Sequence, residues 1–319
     1  MKNAALKGKP YAGNPHVRFD EGGVASEKPR RGSLLYNVSR RNFVNGVVAS
    51  FGMAALGACK GLAPFRRKPR IAAQLYSIHK IFWTRPAWCL EGLREAGYEG
   101  VEFAGFNKHG PQEIAEYLRD ADMAGMGAHV NGFVELTGDA LYHTLDFCAA
   151  AGLETVTTPH AKCDTADAYR RFGHDMGRAA EAAARYGIKV GIHSTYHHFT
   201  TKYAGVTAWD VMFSEASPLL QQQVDTSNAF HVLGGELLPL LKKYRGRHYS
   251  VHLKENTPSK TATLGEPPTD GAPPVPWKDV MECLSSEDVA WHVVEAEAIP
   301  DSLRPLADSM KFLKVISGN

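Results

Sequence analysis

From residue 71 onward, short runs rich in β-branched and other apolar residues alternate with longer segments whose apolar positions recur at helical spacing. That alternation marks a parallel α/β domain. Eight short runs stand out, at 71–77, 100–104, 125–130, 154–158, 189–194, 220–225, 248–254 and 289–296. Helical segments are predicted at 86–96, 111–122, 139–151, 166–186, 236–244, 277–284 and 302–315. Pro86 and Pro111 suit a first helical position, where a missing N–H costs nothing. Gly97, Gly125, Gly152 and Gly187 fall at helix-to-strand joints, where the helix must stop. Eight strand–helix units spread over residues 71–319 predict a single-domain (β/α)8 TIM barrel, a fold that usually takes about 250 residues. A doubly wound open sheet competes, but it wants a glycine-rich phosphate turn after the first strand. Gln74, Leu75, Tyr76 and Ser77 stand there instead.

Two stretches break the alternation. Residues 256–276 hold Pro258, Pro267, Pro268, Pro273, Pro274 and Pro276 with little apolar content, and a long loop after a strand lies over the active face of such a barrel. Residues 1–59 read as a leader. Arg40 and Arg41 precede a twelve-residue uncharged stretch, 47–58, that is rich in Ala and Gly and too short to span a bilayer. Paired arginines ahead of a short apolar region resemble the twin-arginine export class, which implies the twin-arginine translocase as a transient partner and a periplasmic or exported destination. Leu56, Gly57, Ala58 and Cys59 also resemble a lipobox, so lipid anchoring through Cys59 competes with plain cleavage. Residues 60–70 then form a linker.

Charge sharpens this division. The chain carries a formal net charge of +2, but residues 71–319 hold 22 basic against 31 acidic residues, a net of −9. A body that acidic has no electrostatic reason to seek nucleic acid. The five cysteines (Cys59, Cys89, Cys148, Cys163 and Cys283) show no CxxC pair, which argues against a disulfide scaffold or a Cys-ligated zinc site.

In a barrel of this kind, side chains at the C-terminal ends of the strands reach the mouth, so chemistry is sought there. The fifth to eighth runs end in residues able to bind a metal: His193, Asp225, His252 and Glu295. Burying two carboxylates in a barrel interior costs several kcal/mol unless a cation or hydrogen-bond donor compensates. Two imidazoles and two carboxylates form a mixed N/O set that suits one divalent Mn, Fe, Co, Zn or Ni ion better than Ca. Glu102, His129 and His160 point toward the same mouth and read as substrate or supporting groups, beside Asn228. Period-two alternation puts Lys254 on the face of His252, where an ammonium can stabilise a developing oxyanion or pair with a carboxylate such as Glu102. Tyr76 and Trp277 are among the aromatics that could stack on a sugar face.

These residues resemble the xylose-isomerase-like sugar phosphate isomerase/epimerase superfamily, which also contains endonuclease IV. The carriers are Gln74 to Ser77, the stretch Gly97, Tyr98, Glu99, Gly100, Val101 and Glu102, then His193, Asp225 with Asn228, and His252, Leu253, Lys254 and Glu255. Leu264 to Glu266, Pro276 with Trp277, and Val293 to Glu295 complete the set. The resemblance implies a metal chelated by His193, Asp225, His252 and Glu295, and a small-molecule sugar as substrate. In the epimerase branch two metal-bound glutamates, from strands five and eight, exchange a proton through an enediolate. His193 occupies the first of those places here, which leaves Glu295 as base with His193, His197 or His198 as acid. The expectation is therefore an exported, metal-dependent sugar isomerase or epimerase, with a lyase or dehydratase of keto-sugars or 3-keto-glycosides as the alternative. A non-catalytic carbohydrate-binding lipoprotein is the alternative of another class. Assembly into a homo-oligomer is left open.

Overall fold

A computed structural model describes residues 69–255, 263–267, 271, 273–297 and 299–318. The leader expected over 1–59, with its arginine pair and Cys59, lies outside the described residues, as do most of the 60–70 linker and much of the 256–276 loop.

Eight parallel strands close into a barrel: β1 (Arg70–Gln74), β2 (Gly100–Phe103), β3 (Ala124–His129), β4 (Leu153–Thr158), β5 (Lys189–His193), β6 (Gln221–Asp225), β7 (Ser250–Leu253) and β8 (Trp291–Val294). β1 pairs with both β2 and β8, which leaves no open edge. The outer ring is α1 (Pro86–Ala96), α2 (Pro111–Asp120), α3 (Gly138–Ala151), α4 (Ala166–Ala183), α5 (Ala208–Phe213), α6 (Leu237–Lys243), α7 (Trp277–Ser286) and α8 (Arg304–Ile316). Pro86 and Pro111 do open α1 and α2, while Gly97 and Gly152 end α1 and α3 in the left-handed conformation. Each eighth of the sequence pattern is thus present, and the open-sheet alternative falls.

The differences are local. The first strand stops at Gln74 instead of running to Ser77, because the Gln74 side chain accepts the Tyr76 N–H and starts a 3-10 turn over Leu75–Ile78. The helix expected at 166–186 gives way to a 3-10 turn over its last three residues, Ala184–Tyr186. Several elements went unforeseen, among them short helices at Gly132–Glu135, Tyr196–Thr200, Ala208–Phe213 and Thr226–Leu233, and a two-stranded hairpin pairing Lys202–Tyr203 with Val206–Thr207.

Two cores share the strands. Odd and even positions separate them, since Val101, Phe103, Val190, Ile192, Val224, Val251 and Val294 face the helices in the large apolar cluster between strands and ring. Inside the barrel, Ala72, Met126, Trp291 and Val293 form a small apolar floor. Above that floor the interior turns polar, with Gln74, Glu102, Gln223, Ser250 and His252 all buried. An irregularity in the β2–β3 register between Val101 and Glu102 lies at the level where the change begins.

Candidate metal centre and active site

The strand register assembles the site. His193 lies beside Gln223 across β5–β6, Asp225 beside His252 across β6–β7, and the Glu295 N–H donates to the Leu253 carbonyl just above the β7–β8 pairing. These contacts bring together the four ends singled out from the sequence. One potential ligand atom from each of His193, Asp225, His252 and Glu295 lies within 4.8 Å of every other, and all four residues are buried. His129, with His193 and His252, forms an overlapping cluster at the same spacing.

Asp225 ends β6 and caps the helix that follows, accepting the Asn228 N–H through Oδ1 at 2.8 Å. Its Oδ2 is buried and has no hydrogen-bond partner among the described residues. Burial raises the Asp225 carboxyl to about 6, and neighbouring Lys254 works against that rise. His193 presents Nε2 to this oxygen at 3.8 Å, beyond hydrogen-bond length. Burial, reinforced by His252 and His129, holds the His193 imidazole well below its ordinary value and so keeps it neutral. A buried carboxylate oxygen facing a neutral ring nitrogen, with no donor between them, suits a cation. The residues therefore fit a divalent metal.

His252 sits between carboxylates, its Nδ1 2.8 Å from Glu295 Oε2 and its Nε2 2.6 Å from Glu102 Oε2. Burial disfavours its charged form, but Glu102 and then Glu295 outweigh this and raise it to about 10. Glu295 also meets the Lys254 ammonium, at 3.2 Å through Oε1, and Lys254 makes a further short contact with Glu297. Burial would lift the Glu295 carboxyl, yet Lys254 and His252 hold it well below the usual carboxylate range. The Lys254 backbone is itself clamped: its N–H donates to Thr226 Oγ1, whose hydroxyl donates back to the Lys254 carbonyl.

Glu102, expected to touch substrate, lies wholly buried below the mouth. It accepts from Gln74 Nε2 at 2.6 Å, Gln223 Nε2 at 2.7 Å and His252 Nε2, with His129 at 3.3 Å. It supports His252, and Lys254 pairs with Glu295 and Glu297 rather than with it. Asn228 is half-buried and donates through Nδ2 to the Ser194 carbonyl. His160 is exposed just beyond β4, and Tyr76 is 47% exposed and stacked on His79.

His198 and Trp277, also expected in the site, are engaged elsewhere. His198 is fully buried, with Nδ1 accepting the Thr195 N–H in a capping box and Nε2 directed at the Ala161 carbonyl at 3.0 Å. Both nitrogens are occupied, and burial lowers it to about 3, so the ring stays neutral and carries no imidazolium proton to give. Trp277 is 6% exposed, and its indole N–H donates to Glu255 at 2.6 Å, tying the start of α7 to the end of β7. Gln74, Gln223 and Thr226 went unremarked in functional terms. Gln74 and Gln223 were within reach of the period-two rule, which aligns Gln223 with Asp225 on the inner face.

A closed parallel barrel with a mixed imidazole–carboxylate cluster at its strand ends defines the class. The family of xylose isomerase-like TIM barrels matches residues 90–316, and the chain belongs to that family. Among solved structures, a sugar phosphate isomerase/epimerase from Parabacteroides distasonis ATCC 8503 superposes with a TM-score of 0.65 at 15% identity, covering 81% of this chain and 98% of that one. An AP endonuclease of family 2 from Brucella melitensis gives 0.59 at 16%, covering 79% and 99%. A D-allulose 3-epimerase from Methylomonas sp. in complex with D-allulose gives 0.56 at 15%, covering 78% and 96%. At these identities the likeness establishes the fold. No curated protein matches the chain.

Proposed function

We propose that the barrel is a divalent-metal-dependent sugar isomerase or epimerase, moving a proton on a carbon next to the carbonyl of a sugar or keto-sugar. The observation that carries this reading is the unpartnered Oδ2 of Asp225 facing Nε2 of His193 within the four-residue cluster. His193, Asp225, His252 and Glu295 would hold the ion, which when bound supplies Lewis-acid polarisation of a carbonyl and its neighbouring hydroxyl.

The chain's own groups divide the remaining work. Glu295 is ionised and takes the proton from carbon. The Lys254 ammonium, 3.2 Å from Glu295 Oε1, stabilises the negative charge that develops on the substrate oxygen. Glu102 holds the His252 ring through Nε2. The likeness to an epimerase seen with D-allulose supports a small sugar as substrate. The arginine pair at Arg40 and Arg41 supports export, and with it a free sugar or glycoside over a phosphorylated one.

One observation favours a second reading. A neutral, buried imidazole, His193, stands at the strand-five position that carries a second glutamate in the epimerase branch. Elimination from a 3-keto-glycoside needs one base and the same enolate, so a lyase follows from the same site.

The test is proton exchange in D2O. Protein stripped by a chelator and reloaded with Mn, Co or Zn is incubated with keto-sugars and 3-keto-glycosides. Deuterium entering next to the carbonyl only after reloading supports the proposal, and an unsaturated product selects the lyase. Failure to hold one ion per chain sinks both readings and leaves a carbohydrate-binding barrel.

A further inference from the structure

We propose that Gln223 is the positioning residue that makes His193 a metal ligand, by fixing which of its ring nitrogens carries the proton. The inference deepens the metal reading above and rests on it.

An amide's oxygen and nitrogen are told apart by their partners. The chain of partners here starts from a backbone donor, which has no ambiguity. The Tyr76 N–H donates to Gln74 Oε1 at 3.0 Å, so the Gln74 amide nitrogen is the atom that faces Glu102 Oε2 at 2.6 Å. His252 Nε2 lies at 2.6 Å from the same oxygen. Glu102 is thus ringed by donors and accepts as a carboxylate. The group 2.7 Å from its other oxygen must donate, which makes that group the Gln223 NH2, shared with Ser250 Oγ at 2.9 Å.

The Gln223 carbonyl oxygen then points the other way, at His129 Nε2 (2.8 Å) and His193 Nδ1 (3.1 Å). A carbonyl has nothing to donate, so both ring nitrogens carry hydrogen. In a neutral imidazole a proton on Nδ1 leaves the lone pair on Nε2, the atom turned toward the unpartnered Asp225 Oδ2. Gln223 is 1% exposed and lies beneath the cluster, so it acts through His193 and not on substrate. The same amide links Glu102, which holds His252, to His193, so both ligand imidazoles are oriented through one connected set of hydrogen bonds.

The test combines spectroscopy with Co2+ binding. Long-range 1H–15N spectra of histidine-labelled, metal-stripped wild-type protein are expected to show His193 protonated at Nδ1 and bare at Nε2. Gln223→Met removes the acceptor while keeping the bulk, and it is expected to bind Co2+ about 10- to 100-fold more weakly in competition with a chromophoric chelator. Ser250→Ala touches only the amide nitrogen side and keeps affinity within about twofold on the same reasoning. If wild-type protein takes up no Co2+, the metal reading itself fails. If it binds Co2+ but His193 is protonated at Nε2, or Gln223→Met binds as wild type, the role assigned to Gln223 is overturned. Should Gln223→Met not fold, the wild-type tautomer still decides the question.

Discussion

The floor and the mouth of the barrel are built from the same eight strands, yet half-buried charge at the floor and buried charge at the mouth are treated in opposite ways. At the floor Glu154 receives Arg70 at 3.1 Å, the Tyr249 hydroxyl at 2.7 Å and the Trp291 N–H at 2.8 Å, while the Arg70 guanidinium lies over the Trp291 ring. Every group in that set has its partner. At the mouth Asp225 keeps one buried oxygen without a partner among the described residues, next to imidazoles whose ring centres are 4.6–5.4 Å apart. A closed network serves stability, whereas an open acceptor in a buried cluster costs stability and is a mark of function.

This contrast can be broken by substitution. The largest effect is expected at the floor, where Trp291→Ala removes a fully buried indole and should cost about 3–5 kcal/mol in urea unfolding. Its metal affinity per folded molecule should hardly change. Asp225→Asn inverts the pattern. Asparagine keeps the helix cap, so unfolding of the stripped protein should change by less than about 1 kcal/mol or shift toward greater stability. Metal affinity should nonetheless fall by about 100-fold or more. If the stripped variant is instead strongly destabilised, the open oxygen is not the cost it is taken to be.

Within the mouth, Lys254→Met separates charge stabilisation from ion binding. Turnover should drop about 100-fold or more with the ion retained, measured by kcat alongside metal content. A smaller effect comes from acid. His248 and His292 are buried, and burial lowers each to about 4. Unfolded, they titrate near their ordinary 6.5, so the unfolded chain gains protons that the folded one refuses. Stability should fall as pH drops from about 6.5 toward 4, with a slope approaching about 1.4 kcal/mol per pH unit for each ring. His292→Leu should remove that ring's own share of the slope, read from urea midpoints across the range. The smallest effect is expected at Arg304, which is 84% exposed and paired with Asp308: Arg304→Ala should stay within about 0.5 kcal/mol of wild type.

Much of the architecture was legible along the chain. Each of the eight strands was foreseen, because burial on both faces demands apolar runs that the helices between them do not share. The short helix at Thr226–Leu233 was hidden because Asp225 reads equally well as a ligand and as a helix cap, and in the fold it caps that helix within the candidate metal cluster. His198 misled for a related reason. Beside His197 in a histidine-rich stretch it looks like an acid, and only its burial under Tyr169 and Trp209 shows both nitrogens engaged.

The amino-acid order by itself determined the barrel, its strand ends and the two imidazoles and two carboxylates that crown them, since period and composition are local properties that one chain displays directly. Tertiary structure alone decided that Glu102 and Gln223, 121 positions apart, meet by a hydrogen bond and reach His252 and His193. Closing a sheet fixes which inward side chains share a layer, and that depends on register and stagger between strands distant in the chain.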